Sequence, residues 1–293
     1  MIKDVIIFDE IPEGKSPLEK IVEGRPMPCS KELNRPVDFF DEADMKNDSL
    51  PSLDEMNRAI ENGREISLDE LRESRPDVAE YIDKLKERLG DNEYADSIKI
   101  YKCENGDIIL KGTDNRPYQE SNYAVIRGRD IYCAAGNAKG DGHLNEFANN
   151  ATYIPGCRYH FENVIYEINE KGQVTKTYEH HVTERHTDRN EERGNLKEVA
   201  DAKGGLSNDV GGHIVAHNID GPTEAINILP MNSDFNNGKD WKSMENELLQ
   251  AYQDGGDFEV DRQITYDEVG RPCQIEITAT INGEMKHWTF DLP

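Results

Sequence analysis

The hydrophobic pattern divides the chain into stretches of different character. Over residues 1–65 no apolar period lasts beyond a turn, proline recurs at Pro12, Pro17, Pro26, Pro28, Pro36 and Pro51, and acids are abundant. That texture predicts a loosely ordered or extended segment. After Ser67 the residues Leu71, Val78, Tyr81, Ile82, Leu85 and Leu89 recur at helical spacing, with Pro76 placed to divide the helix and Gly90 to stop it. From Ser97 the period changes to that of strands. SIKIYKC and IILKG flank an Asn105-Gly106 turn and read as a hairpin, and YAVIRGRDIYCAA adds one or two further strands. The pattern leaves open whether these strands form a small module or the flank of the C-terminal domain. The Gly- and Asn-rich passage 136–150 is the expected boundary, which gives segments 1–65, 66–140 and 141–293.

Beyond it, ENVIYEINEKGQVTKTYEH reads as two strands joined at Glu170-Lys171-Gly172, and the next 25 residues are polar throughout, a loop with some helix. Near the end, DFEVDRQITYD alternates at period two, and CQIEITATINGEMKHWTFDL is a hairpin turning at Asn282-Gly283. Between them lies NDVGGHIVAHNIDGPTEAINILPMNSDFNNGKDWKSMENE. Here β-branched Ile214 and Val215 place His213 at the start of a short buried strand, Asp220-Gly221-Pro222 turns the chain, and Asn227–Pro230 forms a second short apolar run. A helix from about Lys239 to Gln253 puts Trp241, Met244, Leu248 and Tyr252 on one face with Glu245 beside it, and Gly255-Gly256 ends it. The fold class is α+β, with an antiparallel sheet in the C-terminal part and an acidic, partly helical or disordered N-terminal region.

Composition narrows the picture. The formal charge is −25, and residues 151–293 carry 13 Lys+Arg against 26 Asp+Glu. A nucleic-acid contact there must rest on a few local cations or on a metal, not on a broad basic surface. No apolar run approaches the roughly 18 residues that cross a bilayer. The start, MIKDVIIFDEIPEG, is interrupted by acids and is not a secretory signal, so the expected location is the cytoplasm or one reached by a signal-independent export route. The five cysteines are scattered without CxxC spacing, which favours buried free thiols over a zinc site or a disulfide framework.

Histidine, strand, long turn, and a helix carrying asparagine and glutamate is the order of a ββα-metal (His-Me) finger. At GGHIVA, NILPMNSDFNNG and WKSMENE the sequence resembles the DNA/RNA non-specific endonuclease family, and more closely its branch of bacterial C-terminal toxin domains. The resemblance runs from about Ala151 to the end. It implies a metal-dependent hydrolysis of DNA or RNA phosphodiester bonds, with His213 as general base and Asn236 as direct ligand of Mg2+, for which Mn2+ can substitute. Glu245 would hold waters of that ion, and Asn227 would orient the ligands or the substrate. A bacterial effector with a cognate immunity protein would be the setting, and a catalytically inactive nuclease-like binding module is the alternative. The chemistry fits independently of the resemblance. A histidine titrates near neutrality and suits a general base, and Mg2+ prefers oxygen donors and keeps most of its waters.

One position departs from the family's best-known members, which carry an arginine where this chain has Gly211. Arg185, Arg189, Arg193 and Lys203 are the upstream cations that remain to hold a phosphate, with Asp209 as a further candidate at the substrate. Each residue also has a plainer reading. His213 suits a hydrogen-bonded strand edge, Asn236 a helix cap, Glu245 an exposed helix position, and Asp209 a turn. His213 and His217 stand four apart, the spacing of a zinc pair on a helix, but the intervening residues favour strand. His180, His181 and His186 suit a solvated loop, and Trp241 and Trp288 suit the core.

Overall fold

The computed structural model describes residues 51–113, 121–134, 144–161, 163–181, 196–255 and 258–293. Ser52 and Glu55 form a capping box, with the Ser52 backbone N–H donating to the Glu55 carboxylate at 2.8 Å, and so start α1 (Leu53–Asn62). A short strand, β1 (Arg64–Ile66), comes next. Regular structure therefore begins inside the stretch expected to be loose as far as residue 65. The pattern hid α1 because Met56 is its one fully buried residue among the described ones. Residues 1–50 lie outside the described residues.

Pro76 does divide the next helix. It occupies the first turn of α3 (Pro76–Leu89), separating it from α2 (Leu68–Ser74), and Gly90 closes α3 at φ 65°. Then come α4 (Glu93–Ser97), β2 (Lys99–Lys102), β3 (Ile108–Thr113), β4 (Ser121–Arg127), β5 (Asp130–Cys133), β6 (Arg158–Phe161), β7 (Val164–Ile168) and β8 (Val174–His181). The C-terminal part contributes α5 (Leu196–Ala202), β9 (Asp209–His213), β10 (Ile228–Asn232), α6 (Ser233–Asn236), α7 (Lys239–Asp254), β11 (Phe258–Tyr266), β12 (Pro272–Ile281) and β13 (Glu284–Asp291). The hairpin between β12 and β13 turns on Asn282 and Gly283, both at positive φ.

Among the described residues eleven strands form one sheet in the order β1 to β8, then β11, β12 and β13. Its pairs are antiparallel except β5 with β6, which run parallel. Among the described residues the sheet runs across the expected boundary at residue 140 through the β5–β6 pairing. A two-residue period cannot reveal such a join, because the pairing partner of β5 lies beyond a long connection.

Alternation gives the sheet one apolar inner face. The register carries a row across it from Ile131 through Tyr159, Tyr166, Thr177, Arg262 and Ile277 to Trp288. Leu71, Val78, Ile82 and Leu85 of α2 and α3, and Trp241, Met244, Leu248 and Tyr252 of α7, belong to the same core. On the opposite face α1 seals a smaller cluster of Met56, Cys103, Ile109, Val125 and Tyr132. The strands β9 and β10 pair only with each other, antiparallel, with His213 opposite Ile228. Cys103, Cys133 and Cys157 are buried and free as expected; Cys29 lies outside the described residues. Among the described residues no helix is long and apolar enough to cross a membrane.

Candidate active site

The two-stranded unit β9–β10 and the helices α6 and α7 after it carry the candidate residues His213, Asn236 and Glu245. Strand β9 is Asp209–His213, so His213 ends a strand instead of beginning one. Ile214 and Val215 leave the ladder because their backbone is taken up elsewhere. Ile214 N donates to Asn227 O, and Val215 N donates to Asn227 Oδ1, each at 2.8 Å. The Asn227 amide also donates to Val215 O and Pro222 O, at 2.8 Å each. Asn227 is fully buried and knits the crossing between the strands. Its side-chain bonds orient the chain just past His213.

The two glycines before His213 are required by contact. A Cβ on Gly211 would strike Leu196 O and sit 2.9 Å from Ile228 Cγ2, because α5 lies directly against β9. An arginine at position 211 therefore has no room here. A Cβ on Gly212 would strike Met231 Sδ and come within 2.9 Å of Asn236 Oδ1. The Asn236 side-chain oxygen thus stands over the backbone of the residue before His213.

Asn236 ends α6, half-buried, and it is not a cap. Asn232 caps α6 by accepting from Asp234 N at 2.9 Å, and Gly238 stands at the N-cap of α7 without a side-chain bond. Among the described residues the Asn236 side chain makes no hydrogen bond, which leaves its carbonyl oxygen available. Glu245, on α7, is also half-buried. Burial pushes its carboxyl above the ordinary range, while the Trp241 indole, the Lys242 ammonium and the Arg262 guanidinium pull the other way. Phe235, Trp241 and Phe290 pack ring against ring at 5.1–5.9 Å, fixing α6 and α7 to β13.

The upstream candidates are placed differently. Asp209 is buried in an ion pair with Arg271, and its carboxylate accepts from Leu206 N at 2.7 Å. It anchors the start of β9. Lys203 turns its amine inward, donating to Ala225 O at 2.5 Å and Ile228 O at 2.8 Å, with Tyr153 beneath it at 5.3 Å. Burial lowers its pKa to about 7. Arg185, Arg189, Arg193 and His186 lie outside the described residues. His180 is in β8, not in a loop, 3.7 Å from Glu259. His213 and His217 stand with ring centroids 6.3 Å apart, on a strand end and a 3-10 turn, which is not the geometry of a helical zinc pair. Arg271, Arg262 and the Tyr252 hydroxyl on Asp220 at 2.5 Å were not singled out by sequence. Arg262 alone left a signal, as the charged member of an apolar alternation.

The donor set fits a hard, hydrated cation. The Asn236 side-chain carbonyl and the half-buried Glu245 carboxylate are both oxygen donors, the kind that an ion which keeps most of its waters prefers. Among the described residues no three or more His, Cys, Asp or Glu side chains gather into a charged cage, so a softer, fully protein-ligated ion has no such cage there.

A family model described as DNA/RNA non-specific endonuclease matches residues 155–283, which include β9, β10, α6 and α7. Residues 155–283 form a DNA/RNA non-specific endonuclease domain. Nuclease activity on DNA and RNA, phosphodiester hydrolysis and a general dependence on metal go with this family. No curated protein matches the chain. The endonuclease domain takes in the whole candidate site, and the strands from β1 to β5 extend its sheet beyond the matched segment.

Proposed function

We propose that the endonuclease domain cleaves DNA or RNA without sequence preference, with His213 as general base and a Mg2+ ion, replaceable by Mn2+, held by Asn236 and, through water, by Glu245. The observation that supports this most is the Asn236 oxygen standing over Gly212, one residue from His213. When bound, such an ion supplies positive charge against the charge that develops on the leaving oxygen. His213 takes the proton of the attacking water as that oxygen bonds to phosphorus and the bond to the leaving oxygen breaks. Asn227, through its three side-chain bonds, keeps the backbone just past His213 from shifting. Glu245, half-enclosed beside Trp241, offers a carboxylate to the hydrated ion. The upstream arginines Arg185 and Arg189 remain the proposed grip on the phosphate. Deployment as a bacterial toxin countered by an immunity protein is the setting suggested by the branch that the motifs resemble.

The test is cleavage of plasmid DNA and of a structured RNA by the full chain, in Mg2+ and in Mn2+, beside His213→Ala. The expected loss in the variant is about 10²- to 10⁴-fold. If the wild type cleaves neither substrate above the variant's background in either ion, the enzyme reading falls and a non-catalytic binding module takes its place.

A further inference from the structure

The turn that carries Asn227 is held by residues from outside the matched domain. After Glu224 the chain makes a single 3-10 turn, Ala225–Asn227, before β10 begins. The first amides of such a turn have no partner within it, and when buried they must find one elsewhere. Ala225 and Ile226 are both buried. Ala225 N donates to Asn149 Oδ1 and Ile226 N to Ala148 O, each at 3.1 Å. The fully buried Glu224 carboxylate accepts from Asn145 N at 3.0 Å. Residues 145–149 thus form a seat for the turn, and all of them precede the family match at 155–283.

The seat is itself fixed from the N-terminal side. The Asn145 amide donates to Tyr123 O of β4 at 3.0 Å and to Ala134 O at 2.9 Å. Glu146 N donates to Asn122 Oδ1 at 3.2 Å, and the Glu146 carboxylate pairs with Arg88 of α3. Tyr81 of α3 donates its hydroxyl to Phe147 O at 2.7 Å. In the other direction the turn leads to the candidate base. Asn227 O accepts from Ile214 N and Asn227 Oδ1 from Val215 N, at 2.8 Å each, and Ile228 stands opposite His213 in the ladder. Hydrogen bonds and short runs of chain therefore join α3 to the residue after His213.

We propose that Asn149, in the seat 145–149, is a positioning residue for His213 and acts through the Ala225–Asn227 turn. This rests on the role proposed for His213 as general base. Asn149 sets the start of the turn, the turn aims the Asn227 side chain at Val215, and that bond fixes the exit of β9. Lys203, on the carbonyls of Ala225 and Ile228, closes the same turn from its other side. A base displaced by about 1 Å costs on the order of 10²-fold in rate, so a loosened turn shows in catalysis before it shows in folding.

Asn149→Leu in the full chain removes the acceptor at similar side-chain size. Asn149→Asp keeps it and gives up only a contact with Glu146 at 3.5 Å. Melting temperature, and kcat and KM on an oligonucleotide in Mg2+, are measured for both beside wild type and His213→Ala. Asn149→Leu is expected to melt within a few degrees of wild type and to lose kcat about tenfold, with KM within about twofold. Asn149→Asp should recover kcat to within about twofold of wild type. A folded Asn149→Leu with wild-type kcat overturns the proposal, and so does an equal loss of kcat in Asn149→Asp. If Asn149→Leu does not fold, the smaller Asn149→Ala decides by the same criterion. An inactive His213→Ala beside an unaffected Asn149→Leu removes the role of Asn149 and leaves the base standing. Wild-type kcat in His213→Ala removes the base, and the proposal falls with it.

Discussion

The side-chain oxygen of Asn236 lies 2.9 Å from the point that a Cβ on Gly212 would occupy. The last residue of α6 and the strand that delivers His213 are thereby held together at a place where one methyl group would separate them. That closeness is the physical content of the Gly-Gly-His phrase. The first glycine admits α5 and the second admits Asn236.

Gly212→Ala should therefore disable the enzyme more than it destabilises the fold. The new methyl pushes Met231 and Asn236 away, and a shift of about 1 Å at such a site costs on the order of 10²-fold in rate. Overpacking should lower stability by about 1–3 kcal/mol. Cleavage assays and denaturant titrations on the same preparation check both numbers. Wild-type activity in a folded Gly212→Ala protein would contradict the placement of Asn236.

Asp209 offers a contrast between gripping a substrate and anchoring a strand. Its carboxylate is enclosed, paired with Arg271 and bonded to Leu206 N. Removing Arg271 leaves a buried charge without its cation, which typically costs about 3–5 kcal/mol. Arg271→Ala should thus lower the melting temperature sharply, yet leave KM for DNA within about twofold at temperatures where it stays folded. A raised KM with unchanged stability would return Asp209 to the substrate.

Much of this fold is legible in the sequence because it obeys local rules. Pro76 splits a helix, and Asn282-Gly283 turns a hairpin. What stays hidden depends on partners far away in the chain. Strand β5 finds β6 across a long connection, and His213 ends its strand because Asn227, fourteen positions on, takes up the backbone of Val215. Arg262 is an intermediate case. The alternation Phe258, Val260, Arg262, Ile264 puts a charge on the apolar side, but only the register shows Glu179 two strand positions away to receive it. Burial of Lys203 has no local signature at all.

Restoring the arginine at position 211 makes a further test. The Leu196 backbone oxygen and Ile228 close the space that any side chain there would need. Gly211→Arg should displace α5 from β9 and destabilise the protein by several kcal/mol, in keeping with core overpacking. Activity should fall with it. A stable Gly211→Arg protein with improved DNA binding would show that α5 is free to yield and that the missing phosphate grip belongs at this position after all.

Lys203 gives a pH dependence whose sign can be worked out. Its amine is turned inward between the carbonyls of Ala225 and Ile228, and burial lowers its pKa from 10.5 to about 7. Above pH 7 the folded protein holds this amine neutral, with N–H donors still available for both carbonyls, while the unfolded chain keeps it protonated up to about pH 10.5. The unfolded state then binds more protons, so this residue's contribution to stability rises with pH through that window and is lost as pH falls toward 7. The slope is at most about 1.4 kcal/mol per pH unit. Lys203→Met lacks the titration, and the stability of wild type relative to it should increase by about 1–2 kcal/mol between pH 7.5 and 9.5. Urea unfolding of both proteins across that range checks the difference. Parallel pH curves would mean that the amine remains charged in the folded state, held by the two carbonyls strongly enough to cancel the effect of its burial.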